Sequence, residues 1–354
     1  MDSLKICVYA IAKNEEKFIE RFCESAKEAD LIVILDTGSS DNTVKIAKKR
    51  GATVYENPIH PWRFDTARNA ALQFIPVSFD VCFCADVDEI LQPGWRQEIE
   101  RLWIKNKTNK MYYLFESQPG HVWYNCKIHS RQGYVWKHIC HEMLFADPRM
   151  KINSVTTDKL LLIHKPDNSK SRASYLGLLE ADMLDNQNNG RSLFYYGREL
   201  YYYKKYTEAI EQFNHYLKID ESFSLERNFI LRTKAESLMK LKQMEEALKI
   251  CRLACQEYPS IREPWVLLGD ICYSLEKWRE CFFAATSALD INIRNHHYTS
   301  SPAAWGWKPY DLAALSSYHL KIKVLAIEYG LKALELNPED KRLKDNLKYY
   351  QEMP

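Results

Sequence analysis

The sequence predicts an α/β domain built on a mostly parallel sheet with flanking helices, followed by an all-helical repeat domain. Three observations predict it. Short apolar, β-rich runs alternate with amphipathic stretches through the N-terminal half. Polar or acidic loops recur at the carboxyl ends of those runs. From Ser192 onward the pattern turns helical, poor in glycine, with alanines at recurring places.

The first run, Lys5 to Ile11, reads as a strand. Ala12-Lys13-Asn14-Glu15-Glu16 leads from it into an amphipathic stretch with Phe18, Ile19, Phe22 and Cys23. A second run, Leu31 to Leu35, ends in Asp36-Thr37-Gly38-Ser39-Ser40-Asp41-Asn42-Thr43. Gly38 permits the turn, and Ser40 or Asp41 can cap the helix that carries Val44, Ile46 and Ala47. Thr53-Val54-Tyr55 is a third strand and Thr66 to Phe74 another helix. Phe79 to Ala85 is a buried strand that ends in Asp86-Val87-Asp88. Strand–helix alternation of this kind signals a parallel sheet with crossover helices. Ligands of such sheets sit at the carboxyl ends of the strands. Asp36, the loop after Ala10, and Asp86 with Asp88 all lie there. Two Asp at i and i+2 can converge on one ion, and hard oxygen ligands suit Mg²⁺ or Mn²⁺ rather than zinc.

These segments carry a resemblance. Ala10 to Glu16, Ile34 to Thr43, Phe64-Asp65-Thr66-Ala67-Arg68-Asn69-Ala70-Ala71 and Asp86-Val87-Asp88-Glu89 resemble, in order, the signatures of family-2 glycosyltransferases. The resemblance implies a GT-A fold over residues 1–185, a nucleotide-sugar donor (a UDP-sugar), a divalent Mn²⁺ or Mg²⁺, and inversion at the anomeric carbon. On that resemblance Asp88 binds the metal. Asp86 is a catalytic residue that meets the donor ribose or sugar. Asp36 meets the nucleobase or ribose, and the backbone of Ala10, Ile11 and Ala12 lines that pocket. Arg68 is a donor-binding candidate, partnering phosphate or an acidic loop, because a guanidinium matches such oxygens bidentately; a surface ion pair is its other reading. Asn69 is as readily a helix-surface residue, and Glu15 a first-turn carboxylate favoured by the helix dipole.

Met111 to Phe115 and Gly133 to Val135 read as strands, and Trp136 to Glu142 ends a strand pair. Inverting transfer needs one base to take the acceptor's proton. Glu142, in the His141-Glu142 pair, is the first candidate, with Asp147 and Asp158 behind it. A structural carboxylate paired to Lys137 or Arg131 is its other reading. Leu160 to Ile163 is an apolar strand ending in His164, followed by Lys165, Lys170 and Arg172. A histidine there, beside a basic loop, is a candidate metal ligand or diphosphate contact, with Lys165 on the donor.

The second half, residues 190–354, repeats. Thr207 to Ile210, Glu245 to Leu248, Arg279 to Phe282 and Leu325 to Glu328 form the cores of four related units. Ala247 and Cys281 are one tetratricopeptide period apart. Each unit is a helix pair that buries its apolar face only by stacking on neighbours, and Lys341 to Tyr350 is a capping helix. The tyrosine stripe from Tyr195 to Tyr206 reads as packing. An aromatic insertion, Arg294 to Pro309, breaks the last repeat. Its Trp305 and Trp307 are acceptor-binding candidates, with packing as the plainer reading. His296-His297 lacks a second ligand pair at metal spacing. The stacked surface can hold an extended peptide or a second copy of the chain, which makes a homo-oligomer through the repeats an expectation.

The 354 residues are enough for two domains, and 46% hydrophobic content for ample cores. A net charge of +2 gives no electrostatic case for nucleic acid or an anionic membrane. No long apolar run predicts a transmembrane segment, and Met1 to Tyr9 lacks a signal-peptide core. Ten scattered cysteines without a C-x-x-C pair point to reduced thiols and the cytoplasm. The architecture is similar to that of bacterial peptide glycosyltransferases of the sublancin-pathway type. A peptide or protein acceptor is therefore the first expectation, a cell-surface glycan or lipid-linked precursor the second, and an inactive binding scaffold the third.

Overall fold

The apolar runs become strands. In chain order the first unit comprises β1 (Ile6–Ala12), α1 (Ile19–Ser25), β2 (Leu31–Asp36), α2 (Thr43–Lys49), β3 (Thr53–Glu56), α3 (Phe64–Gln73) and β4 (Val81–Cys84). There follow β5 (Glu89–Leu91), α4 (Trp95–Leu102), β6 (Lys110–Gln118), β7 (His121–Ser130), β8 (Tyr134–Lys137), β9 (Met143–Ala146), β10 (Ser154–His164) and α5 (Ala173–Asp185). The computed structural model describes residues 3–167, 173–185, 189–219, 224–294 and 296–354. Lys170 and Arg172, expected in the basic loop, lie outside the described residues. The chain divides into two units, Met1–Asp185 and Asn186–Pro354.

Eight strands form one sheet in the order β3-β2-β1-β4-β7-β6-β10-β5. The run β3-β2-β1-β4 is parallel, β7 is antiparallel to β4 and β6, β10 is parallel to β6, and β5 is antiparallel to β10. Both faces of the parallel part are covered, so its strands read as continuous apolar runs. Ile6, Val8 and Ala10 pack on one side with Phe22, Phe83 and Trp95. Cys7, Tyr9, Val33 and Leu35 pack on the other with Ala71, Leu72 and Trp136.

One connection sets the shape of the sheet's working edge. Only Ala85 to Asp88 join β4 to β5, although β7, β6 and β10 lie between them in the strand order. Five Cα steps reach at most about 18 Å, whereas four flat interstrand gaps span about 19 Å. The sheet must therefore curl, and the curl gathers the ends of β4, β7 and β10 around the Asp86 to Glu89 turn.

The β8–β9 hairpin lies off this sheet and is tied to it by a buried polar relay. Trp136 Nε1–H donates to Tyr9 Oη at 2.8 Å. The Tyr9 hydroxyl donates to His129 Nε2 at 2.8 Å, and His129 Nδ1–H donates to the Ser130 carbonyl at 2.8 Å. Burial pushes His129 down to about 4, so it serves as a neutral link.

The second unit comprises α6 (Gly190–Tyr202), α7 (Tyr206–Tyr216), α8 (Ser224–Lys240), α9 (Met244–Glu257), α10 (Arg262–Ser274), α11 (Trp278–Asp290), a 3₁₀ turn at Pro302–Trp305, α12 (Lys308–His319), α13 (Lys323–Leu336) and α14 (Lys341–Gln351). One turn recurs four times. Lys204, Lys242, Glu276 and Lys321 each hold φ between 56° and 63°. The following amide closes a 2.8–2.9 Å bond to a carbonyl five residues back: Lys205 to Leu200, Gln243 to Leu238, Lys277 to Cys272 and Ile322 to Ser317. This is the Schellman helix stop, repeated in register. Ala209, Ala247, Cys281 and Ala326, the small residues of the four sequence cores, are all fully buried just beyond it. The unit is thus a stack of tetratricopeptide-like helix pairs. Among the described residues no helix is long and apolar enough to cross a membrane.

The left-handed stop positions hold Lys or Glu where glycine is the easiest residue. Lys242→Gly relieves that strain against the extra freedom glycine gives the unfolded chain. We expect a net stabilisation of about 0.5–1 kcal/mol, read as a rise in the urea midpoint at unchanged slope. A fall in the midpoint would contradict this account of the turn.

Candidate active site

The site grows from loops at the carboxyl ends of β1, β2, β4 and β10. The first two loops are laced together. Asn14, at φ 55°, donates its amide to Ser39 Oγ at 2.8 Å, and its Oδ1 accepts from the Ser40 amide at 2.8 Å. The Glu15 amide donates to Thr43 Oγ1 at 2.7 Å, and Glu16 Oε2 accepts from the Asn42 amide at 3.1 Å. Asp41, rather than Ser40, accepts from the Thr43 amide at the start of α2, at 3.0 Å. The polar residues of the first two motifs therefore hold two loops in one conformation.

Asp36 stands at the end of β2. Expected to meet a nucleobase or ribose, it is 3% exposed and turned into its own loop. Its Oδ2 accepts from the amides of Gly38 and Ser39 at 3.0 and 2.9 Å, and Oδ1 accepts from Ser39 Oγ. Its carboxylate shapes the loop. The backbone of Ala10 to Ala12 fares differently. β1 pairs with β4 only as far as Tyr9, so beyond it the β1 edge on the Asp86 side runs on without β4. Ala10 and Ala12 are nonetheless buried, at 0% and 3% exposure, and Ile11 is half-buried.

The Asp86 carboxylate is gripped by two cations. Arg68 Nη2 donates to Oδ1 at 2.6 Å, and Lys127 Nζ donates to Oδ2 at 2.8 Å. Partial burial would raise the Asp86 pKa; Arg68 first and then Lys127 overturn that and hold it far below the usual carboxylate range. Lys127 also donates to Glu89 Oε1 at 3.0 Å, while Glu89 Oε2 accepts from the Asp86 amide at 2.8 Å. Glu89 is 2% exposed, and burial pushes it up to about 7 against the pull of Lys127.

Arg68 itself is 4% exposed. Its Nε donates to Glu142 Oε1 and its Nη1 to Cys84 Sγ at 3.0 Å, and the guanidinium lies 5.2 Å from the Trp136 ring centroid. Of the two partners expected for Arg68, the acidic loop is the one it meets. Every guanidinium nitrogen faces protein, so Arg68 braces Glu142 against Asp86. Glu142 pairs with Arg68, not with Lys137 or Arg131. Asn69 is not a surface residue either: its amide exchanges two 2.8 Å bonds with the Trp136 backbone.

Glu142 is delivered by an unusual loop. His138 and His141 both have left-handed backbone, at φ 81° and 52°. Such residues cost about 1–2 kcal/mol each, so the loop persists only because it is anchored. The Phe64 amide donates to the Ile139 carbonyl at 3.0 Å, and the Ile139 amide to Asp182 Oδ1 at 3.4 Å.

Asp88 stands apart from the brace. His164 Nε2 lies 3.2 Å from Asp88 Oδ2, and both side chains are close to 30% exposed. Burial opposes a charge on His164, but the bond to Asp88 and the nearby carboxylates raise its pKa. The Lys165 amide donates to the Asp88 carbonyl at 2.8 Å, and the Lys165 side chain is exposed. Among the described residues no three His, Cys, Asp or Glu side chains form a ready metal cluster. One carboxylate and one imidazole are what the site offers.

The two tryptophans are half-buried. Trp305 Nε1 donates to Glu263 Oε1 at 3.1 Å, and Arg262 lies 4.1 Å from its ring centroid. Arg342 lies 5.6 Å from the Trp307 ring centroid. Both are packed within their own helical unit, which disfavours them as an acceptor platform. Lys127 and Glu89 carry the opposite lesson. Neither stands out in the sequence, because β7 mixes polar and apolar residues and Lys127 is one polar side chain among several.

Residues 7–138 match the family model described as glycosyl transferase family 2. This region is a family-2 glycosyl transferase domain. An uncharacterized glycosyltransferase of Rickettsia typhi is 32% identical over 107 residues, which is 30% of this chain and 35% of the relative. One from Rickettsia conorii is 31% identical over 107 residues, covering 30% and 36%. The chain thus spans about a third of the length of the curated relatives it matches. Among solved structures, MamA from Desulfovibrio magneticus RS-1 is 20% identical at a TM-score of 0.39, covering 48% of this chain and 87% of its own. YrrB, described as a TPR protein with an unusual peptide-binding site, is 15% identical at 0.39, covering 50% and 82%.

Within the glycosyl transferase domain the Arg68 brace can be tested by charge balance. Arg68→Met leaves Asp86 and Glu142 without their shared cation, and we expect a loss of about 3–5 kcal/mol in unfolding free energy. Adding Glu142→Gln should recover part of that loss. If the double variant is as unstable as the sum of the two single changes, Arg68 and Glu142 are not coupled.

Proposed function

We propose that the protein is an inverting, metal-dependent glycosyltransferase that moves a sugar from a nucleotide-sugar donor, a UDP-sugar, to a peptide or protein acceptor. The observation that carries this reading is the separation of labour among the carboxylates at the sheet's edge. Asp86 is immobilised by two cations, Glu142 is held through one oxygen, and Asp88 is left half-exposed beside His164.

The donor set fits a divalent cation such as Mn²⁺ or Mg²⁺. A carboxylate and an imidazole 3.2 Å apart, open to solvent, leave most coordination positions for diphosphate oxygens. Asp88 and His164 would hold the cation, which when bound would stabilise the charge on the departing diphosphate. The exposed Lys165 adds positive charge on that side. The β1 backbone at Ala10 to Ala12, where β1 runs on past its pairing with β4, is the segment assigned to the nucleoside. Asp86, fixed by Arg68 and Lys127, orients the donor's ribose or sugar without moving. Glu142 takes the acceptor proton; Arg68 engages only its Oε1, leaving the other oxygen as acceptor.

A peptide acceptor is supported by the helical unit. A groove of about 560 Å³ is lined by Tyr201, Glu236, Met239, Lys240, Leu267 and Asp270. Apolar stems mixed with both charge signs along a stack of helices suit an extended polypeptide. The ten described cysteines are all free thiols, in keeping with a reducing, cytoplasmic setting.

Titration with UDP in the presence and absence of Mn²⁺ tests the donor side. We expect metal-dependent binding in the wild type, loss of the metal dependence in Asp88→Ala, and weakening in His164→Ala. Binding indifferent to Mn²⁺ in the wild type would count against the metal assignment. Glu142→Gln should keep the donor affinity and lower kcat by roughly 10²–10⁴-fold. Full turnover in that variant would move the base to Asp147 or Asp158.

A further inference from the structure

We propose that Lys127 is a positioning residue for the Asp88 side of the site: it staples the two ends of the Asp86 to Glu89 turn and so fixes where Asp88 presents its carboxylate. The proposal rests on the reading of Asp88 and His164 as the metal-binding pair. It goes beyond that reading in assigning a residue on a different strand, which no motif marks.

The geometry is that of a staple. Lys127 Nζ sits 2.8 Å from Asp86 Oδ2 and 3.0 Å from Glu89 Oε1, so one ammonium joins the residue leaving β4 to the residue entering β5. The Asp86 amide bonds back to Glu89 Oε2 at 2.8 Å, and the Glu89 amide to the Asp86 carbonyl at 2.9 Å. Val87 and Asp88 are the two residues between the stapled ends. Val87 is 3% exposed and turned into the core. Asp88 is therefore turned outward, with its carbonyl fixed by the Lys165 amide at 2.8 Å.

Electrostatics requires a cation here. Asp86, Asp88 and Glu89 place three carboxylates within four residues, and Arg68 reaches only Asp86. The Lys127 side chain is 15% exposed and Glu89 is 2% exposed, so water screens their interaction little. A flexible turn bearing like charges would splay. A metal ligand displaced by even 1 Å loses its bond, since such bonds vary by only about 0.2 Å. β7 supplies the ammonium because it runs antiparallel to β4, with Phe83 opposite Ile128. Its next residue toward the mouth is Lys127.

Two effects must be separated, the staple and the charge balance. Lys127→Met removes both. Lys127→Met with Glu89→Gln removes the staple but keeps the net charge of the cluster. Lys127→Arg retains the charge and two-carboxylate reach. The measurements are unfolding midpoint and Mn²⁺-dependent UDP affinity. We expect the double variant to recover most of the stability lost in Lys127→Met while its Mn²⁺-dependent affinity stays at least tenfold below wild type, and Lys127→Arg to recover both in part. A double variant that binds Mn²⁺ and UDP like the wild type would overturn the proposal and reduce Lys127 to charge balance. If the double variant still fails to fold, Lys127→Arg decides: a normal midpoint with normal affinity supports the staple, and a normal midpoint with Lys127→Met-like affinity overturns it. Metal-independent UDP binding in the wild type would instead remove the underlying metal assignment, and the proposal with it.

Discussion

Asp86 lies between Arg68 at 2.6 Å and Lys127 at 2.8 Å, and the rest of the site is arranged around that grip. A carboxylate leaving a buried strand would ordinarily gain a proton or swing to solvent. Two cations from different elements, α3 and β7, keep it charged and still. Arg68 then carries the constraint outward to Glu142, and Lys127 carries it to Glu89. Three carboxylates from the β4–β5 turn and the β8–β9 loop thereby share two cations. Removing either cation leaves a buried charge without compensation, a larger penalty than the pair's own attraction suggests. Asp88 lies outside this network, which is why it remains open to a ligand.

The fold supplies the convergence. A flat sheet could not join β4 to β5 through four residues across three intervening strands. Curling brings His164, at the end of β10, to within 3.2 Å of Asp88. It also brings Lys127, on the central antiparallel strand, onto the same turn. The loops after β1 and β2 are fixed to each other by their own hydrogen bonds. The strained His138 to His141 loop fixes Glu142.

Much of this was legible in the sequence because the signals were local. Parallel strands buried on both faces announce themselves as apolar runs, and the loop residues follow them directly. The four repeat cores were visible because each needs a small residue where helices cross, as Ala209, Ala247, Cys281 and Ala326 do. What was hidden depended on long-range pairing. Lys127 faces Asp86 only because β7 inserts beside β4, a register that no local pattern encodes. Arg68 meets Asp86 because α3 packs on β1, whose neighbour β4 leads into the acidic loop. Asp36 turns inward because its own loop offers the Gly38 and Ser39 amides. Trp305 was drawn into its own unit by Glu263 and Arg262, partners separated from it by a whole helix pair in sequence.

Asp88 and His164 are proposed together to hold a divalent cation at the diphosphate. Pulsed electron paramagnetic resonance of Mn²⁺ bound in the presence of UDP reads the ligands of that cation directly. It should show nitrogen coupling from one imidazole and phosphorus coupling from the nucleotide, with the nitrogen signal lost in His164→Ala and the phosphorus signal retained. Mn²⁺ that keeps the spectrum of the hydrated ion, or nitrogen coupling that survives His164→Ala, would contradict it.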